Sequence, residues 1–580
     1  MKSAAERCIA ATSCTALVLF LAGCQIEPKP TPTSESVSTA QDWDSYSARF
    51  LEWYFTAHPN TAVWAGRHEF DGQLPDWSAA GIQSLIERLH RERSRAAEFA
   101  TGRLDSRQRF ERQLVISRID GELFWLESAQ WQFRSPAFYG GALDPNVYVA
   151  REYAPLAQRL RAYTAYAKAI AVATEQIRRN LRTPMPRTFI QIGHIRFGGL
   201  ARFYEKDVPA VFGAVEDAQL QEGFRSANAG AIRAMRDLDA WLTQQESAAT
   251  DDFALGPQKF QQMLRATEGV DVPRARLKQI GADDLERNLA ALRDACAAFD
   301  PGQTVQDCVA KVVAQKPAGS AVDAATRQLD DLEAFVRARD IVTIPGPEQA
   351  LVRESPPYNR ANAAYISIPG PYEKNLPSIY YIAPPDPAWT KAEQGAYIPA
   401  EPVLLFISAH EVWPGHFLQF LHSNRSPSRL GQVFISYAYA EGWAHYCEEM
   451  MWEAGLGNGG PEVHIGQLIN ALLRDVRYLS AIGLHTGGMT VAQSEAMFRD
   501  SAFQDPGNAR QQAARGTYDP AYGNYTLGKL MIRKMREEWT ASRGGRASWK
   551  AFHDQFLSYG APPIPMVRDA MLGDAAGPAL

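Results

Sequence analysis

SAHEVWPGHFLQ, residues 408–419, sets two histidines and a glutamate within seven positions: His410, Glu411 and His416. About 25 residues later AYAEGWAHYCEEM, residues 438–450, supplies Glu441, His445, Glu448 and Glu449. Two neutral imidazoles and a carboxylate, with a further carboxylate beside them, form the kit for a three-ligand catalytic zinc and its general base. The surrounding chain then has one structural task, which is to hold these two segments face to face.

The spacing is not that of an unbroken helix. Histidines four apart stand about 40° from one another around a helix. Six apart, as here, they are separated by about 240° and point away from each other. Pro414 removes the N–H that would bond to the His410 carbonyl, and Gly415 tolerates backbone angles closed to other residues. The helix is therefore expected to break or bulge between the histidines and turn both towards one ion.

Glu441 is the expected third ligand, on a following helix. Glu448, two turns on, shares its face and is suited to hold a ligand histidine from behind. His445 also faces that side, as a group touching substrate or solvent or supporting a ligand, whereas Glu449 reads as a solvated charge. Glu411, adjacent to His410, is poorly placed to bind the same ion and better placed to take a proton from the attacking water. A donor for the developing oxyanion is sought in RGTYDPAYGNYTLGKL, residues 515–530, with Tyr525 first and Tyr522 second. Arg515 could grip a substrate carboxylate. His485, in GLHTGG, is either a groove donor or a loop histidine.

Across the 580 residues, 60 basic side chains meet 65 acidic ones and no basic run marks a nucleic-acid surface. The start carries Lys2 and Arg7, an apolar run over residues 8–23, and Leu21-Ala22-Gly23 before Cys24. It reads as a lipoprotein signal over residues 1–24, in which Cys24 takes the lipid; an ordinary secretion signal with a chance cysteine is the alternative. Residues 25–41, rich in Pro, Ser and Thr, form a disordered tether. Gln25 is compatible with outer-membrane sorting, with the body facing the periplasm. Cys296 and Cys308 could pair or stay free and buried.

Apolar residues recur at helical spacing through 42–132, 163–181, 217–247, 282–298 and 323–338. Asp105 is a candidate helix cap, and residues 136–150 are expected to form a loop. IVTIPG, AAYISIPG and SIYYIAPP, between 341 and 402, read as short strands that form either a groove wall or a plain ribbon. Helical pattern then returns to the C-terminus, and the Pro- and Gly-bearing tail after Ser558 is expected on the surface. The chain divides into a helical region, 42–340, and a metal-bearing region, 341–580, of one continuous fold.

HEVWPGHFLQ, EGWAHYCEEM, GLHTGGMT and YTLGKL together resemble the bacterial domain-of-unknown-function 885 family, zincin-like predicted metallopeptidases often found as lipoproteins. The resemblance runs from about Asp42 to Trp539. It implies a mainly α, zincin-like body with a deep cleft, to which the strand-like runs before the metal helix add a small sheet or ribbon. It also implies one Zn2+ on His410, His416 and Glu441, with Glu411 as catalyst. Where the family often shows a further histidine, this chain has Phe417. The expected activity is hydrolysis of peptides by a lipid-anchored zinc peptidase. Two other readings stand beside it: a catalytically silent envelope lipoprotein that binds peptide or a partner around a structural metal, and a zinc hydrolase for a cell-wall amide.

Overall fold

The computed structural model describes residues 40–355, 360, 363–385, 387, 389–573 and 577–580, so the signal segment, Cys24 and residues 25–39 of the tether lie outside the described residues. The fold is mainly α with one small sheet. The helix Ala40–Ala57 buries Tyr46, Phe50, Tyr54 and Phe55, the aromatic series whose spacing follows one helical face. It joins the helices Ala79–Glu98 and Ser106–Leu123 in one aromatic cluster. Asp105 does cap the latter: its carboxylate accepts from the Gln108 N–H while the Gln108 side chain returns to the cap. Leu156–Asn180 lies along Ala218–Gln245 around Tyr163, Tyr166, Met235 and Leu238.

Residues 136–150 are not the expected loop. They form the short helices Ala137–Gly140 and Asn146–Ala150, because Tyr139, Leu143, Val147 and Tyr148 are drawn into that second cluster despite the breakers around them. The tail also departs from expectation. Ile564–Leu572 is a helix that buries Ile564, Val567 and Met571 in the largest core, while Met566 reaches the N-terminal aromatic cluster.

The sheet holds β1 (Ala350–Glu354), β2 (Ala364–Ser367) and β3 (Ser378–Ile382), in the order β1-β3-β2. β3 is parallel to β1 and antiparallel to β2, and it is buried along its whole length. The strand expected at IVTIPG is absent. There Asp554 takes both the N–H and hydroxyl of Thr343, His422 donates to the Thr343 carbonyl, and His553 donates to the Ile341 carbonyl. Side chains satisfy the backbone groups that a ladder would have used. The first strand forms instead at Ala350–Glu354.

Two glycine contacts set the scaffold of the site. Arg274–Phe299 packs on Pro461–Thr486, where a Cβ on Gly281 would stand 2.4 Å from Cδ1 of Tyr478. Tyr437–Glu453 packs on Asn524–Ala541, where a Cβ on Gly442 would stand 2.5 Å from the Gly528 Cα. Only glycines permit that approach. Gly442 directly follows Glu441, so the close crossing also fixes the carboxylate's position against Tyr525. Cys296 and Cys308 form a disulfide, with S–S 2.04 Å, between the helices Arg274–Phe299 and Val305–Val313.

Candidate metal centre

The helix Glu401–Glu411 ends directly after His410, and a second helix, His416–Ser423, begins at the other histidine. The expected bulge is present: the Gly415 N–H bonds to the Ala409 carbonyl and the Leu418 N–H to the Val412 carbonyl, six residues back instead of four, so two extra residues are inserted between the histidines. Its Trp413–Pro414 peptide is cis. A Cβ at Gly415 would lie 1.8 Å from the His410 carbonyl oxygen, so the turn admits glycine only. The Pro414 carbonyl then accepts from the indole of Trp443 at 2.9 Å and from the Cys447 thiol at 3.5 Å. Both donors belong to the helix that carries Glu441. The turn between the histidines is thus bolted to the third candidate ligand's helix by the Trp of EGW. On the other side Ser408, two residues before His410, is held by Gln328 at 2.9 Å and faces Tyr380 of β3.

One ligand atom each from His410, His416 and Glu441 falls within 4.8 Å of the others. Glu441 Oε2 lies 3.4 Å from Nε2 of His410 and 3.4 Å from Nε2 of His416. Donors about 2.0–2.1 Å from a tetrahedral zinc stand about 3.3–3.4 Å apart, so these separations suit one shared ion. The two imidazoles meet nearly edge to face, centroids 4.9 Å apart. Glu441 Oε2 is a buried oxygen with no hydrogen bond to any described residue, which is costly for a carboxylate unless a cation completes it. Burial pushes the Glu441 carboxyl up, but the adjoining His416 and His410 hold it well below the ordinary carboxylate range. The residues fit the metal.

Behind His410, Nδ1 faces Glu448 Oε1 at 2.7 Å. Glu448 is fully buried and paired with Arg474 at 3.0 Å. A proton on Nδ1 directed at Glu448 leaves the Nε2 lone pair for an ion. Burial and Arg474 oppose charge on this ring, yet Glu441 and Glu448 prevail and raise its pKa to about 9. His445 is wholly buried with Nδ1 3.6 Å from Glu448. Burial and the nearby Lys529 lower its pKa to about 3, so it is neutral and touches neither solvent nor substrate. His416 Nδ1 finds no partner among the described residues.

Glu411 is half-buried at the end of its helix, and its carboxylate makes no hydrogen bond or ion pair with any described residue. Tyr525 faces His410 with rings 6.2 Å apart. The guanidinium groups of Arg474 and Arg477 lie 5.8 and 5.1 Å from its ring centre, and the Tyr437 ring meets it at 5.9 Å. Arg515 reaches this group only indirectly. It pairs with Asp519 at 3.0 Å and donates to the Tyr437 hydroxyl at 3.0 Å.

Three expectations are corrected. Tyr522 has no exposed surface and its hydroxyl is pressed against Gly516, so no substrate reaches it. His485 is neither a groove donor nor a loop residue. It sits near the end of the helix Pro461–Thr486, accepts from the Leu255 N–H and donates to the Gly516 carbonyl, and burial lowers its pKa to about 4. Glu449 is not solvated: it is buried among Arg287, Lys529 and Arg533, with Lys529 itself fully enclosed and bonded to Asp284. The sequence reading passed over Arg474, Arg477 and Tyr437. Two arginines three apart in a largely buried helix, and a tyrosine one turn before Glu441, were the available signals.

A cavity of about 930 Å³ lies between the N-terminal helices and the segment 434–437. None of the three candidate ligands lines it, but Tyr437 and Asp519 do.

Residues 59–571 match the family described as bacterial protein of unknown function, DUF885. The chain belongs to this family. Among solved structures, this DUF885 chain is similar to a provisionally assigned lipoprotein of unknown function from Shewanella oneidensis. That likeness has a TM-score of 0.74 at 24% identity, and covers 91% of this chain and 99% of the other. A provisionally assigned lipoprotein from Colwellia psychrerythraea is similar with a TM-score of 0.76 at 17% identity, over 91% and 97% of the respective chains. Both share the fold. No curated protein sequence matches the chain.

Proposed function

We propose that this DUF885 protein is a zinc-dependent peptidase of the bacterial cell envelope, tethered by lipid on Cys24 and facing the periplasm from the outer membrane. The observation that carries the reading is the convergence of His410 Nε2, His416 Nε2 and Glu441 Oε2 at separations suited to one zinc ion, with Glu411 next in sequence to His410. The lipoprotein assignments of the two similar structures support the tether. No helix among the described residues is long and apolar enough to cross a membrane.

Zinc, when bound, supplies Lewis-acid polarisation of the scissile carbonyl and a strong local positive charge. Glu411 takes a proton from the attacking water and returns it to the nitrogen of the leaving amine as the C–N bond breaks. The Tyr525 hydroxyl donates to the oxygen that becomes negative during attack. Glu448 holds His410 in the tautomer that offers Nε2.

The test is metal analysis and hydrolysis of a mixed peptide library by the wild type and Glu411→Gln. The reading expects about one zinc per chain in both and cleavage only by the wild type. Equal cleavage by both removes Glu411 from the chemistry. Zinc in both without any cleavage leaves a peptide- or partner-binding lipoprotein with a structural metal.

A further inference from the structure

We infer that the 930 Å³ cavity is the substrate-side subsite of the metal centre, and that it takes an extended peptide segment bearing large apolar or aromatic side chains. This rests on the peptidase reading for its chemistry but not for its binding. Three observations carry it. The volume is at the upper end of the roughly 300–1,000 Å³ range of ligand sites, ample for several residues. Its walls present Trp53, Trp77, Trp125, Phe138 and Phe434, flat apolar surface of the kind that recognises large side chains.

The third observation is where the cavity ends. Tyr437, on its wall, stands one helical turn before Glu441, and side chains four apart share a face about 5–6 Å apart. Tyr437 also packs on Tyr525, which faces His410. Tyr437 is thus common to the cavity wall and to the aromatic group beside His410, and on this inference a chain lying in the cavity reaches the metal ligands past it. Polar groups interrupt the aromatic walls, among them His58, Glu122 and Arg118. His58 and Glu122 pair at 2.8 Å and Arg118 donates to the Tyr54 hydroxyl; peptide amides can add hydrogen bonds to these groups, which a purely hydrocarbon occupant cannot.

Gly141 provides the test. It lines the cavity, its φ is −67°, and a Cβ there meets nothing within 4 Å, so Gly141→Trp obstructs the space without backbone strain. Binding of Ac-Leu-Phe-Leu-NH2 and Ac-Gly-Ser-Gly-NH2 to the full zinc-loaded Glu411→Gln protein is measured by calorimetry, with and without Gly141→Trp. The first peptide should bind, lose at least about tenfold in affinity in the obstructed variant, and outcompete the second. A benzophenone-bearing analogue should photolabel segments 53–61, 77–91 or 434–437 of the Glu411→Gln protein. That readout does not depend on how the obstructed variant folds. Labelling elsewhere, or unchanged affinity in Gly141→Trp, overturns the subsite. If wild-type and Gly141→Trp enzymes cleave the apolar peptide equally well, the subsite falls and the peptidase stands. If the peptide binds and labels the cavity but the wild type never cleaves it, the subsite stands and the peptidase falls.

Discussion

Glu448 serves two physical purposes that a pair of variants can separate. Its Oε1 lies 2.7 Å from His410 Nδ1 and 3.0 Å from Arg474 Nη2, with no exposed surface. Glu448→Gln keeps the volume and removes the charge. Arg474 is then a buried cation without its partner, which costs about 3–5 kcal/mol of folding stability. His410 exchanges an acceptor-only carboxylate for a neutral amide, whose NH2 can also face Nδ1 and no longer fixes the tautomer, which costs about 10–100-fold in zinc affinity, or about 1.4–2.7 kcal/mol. Adding Arg474→Met removes the stranded charge. The double variant should regain most of the stability, because neither charge of the pair is then left buried alone. It should not regain zinc affinity, because nothing returns the carboxylate to His410. Urea unfolding in excess chelator isolates the first quantity from ligand-linked stabilisation, and competition against a chromogenic chelator measures the second. If Glu448→Gln binds zinc as tightly as the wild type, or if the double variant recovers stability and affinity together, then Glu448 does not orient the ligand and its role is confined to the ion pair.

His416→Ala should take bound zinc from about one per chain to near zero by metal analysis, since two donors do not hold a catalytic zinc; stoichiometric zinc in that variant would remove His416 from the ligand set. Glu268 gives a pH prediction away from the metal. It is buried, accepts from Ser436, Ala438 and Asn524, and its pKa is pushed up to about 7 by burial despite those bonds. An unfolded glutamate releases its proton near 4.3, so the folded state binds more protons between the two values and the stability from Glu268 is lost as pH rises from about 4.5 to 7. The loss is on the order of 3 kcal/mol. Glu268→Gln should flatten the pH dependence over that interval in urea titrations, and an unchanged slope would count against the burial argument.

How far the site could be read from the chain depended on whether backbone or tertiary packing made the decision. The pairing of His410 with His416 was legible because Pro414 and Gly415 leave few ways for a chain to pass between them, and the bulge uses both properties. The Asp105 cap and the helical register of Tyr46, Phe50, Tyr54 and Phe55 were legible for the same local reasons. Glu448 and Glu449 show where that kind of reading stops. Adjacent glutamates on an exposed helix would include a solvated one, but Tyr437–Glu453 is buried nearly all round, so each had to find a cation. Glu448 found Arg474 behind the candidate ligand and Glu449 found Arg287, Lys529 and Arg533. Those partners come from other helices, far away in sequence.

Tyr522 and Tyr525 are separated by the same distinction. Three positions apart in a tyrosine-rich run, they are chemically alike, and only the Gly442–Gly528 crossing decides which faces the candidate ligands. Because Gly442 sits next to Glu441 and Gly528 sits three residues beyond Tyr525, one close contact between two glycines sets the third ligand and the proposed oxyanion donor at once. Any side chain at either glycine would part the helices and move both groups away from His410 together. The EGW motif is on this view a packing device as much as a ligand: its glutamate faces the ion, its glycine sets the distance to Tyr525, and its tryptophan holds the turn between the two histidines.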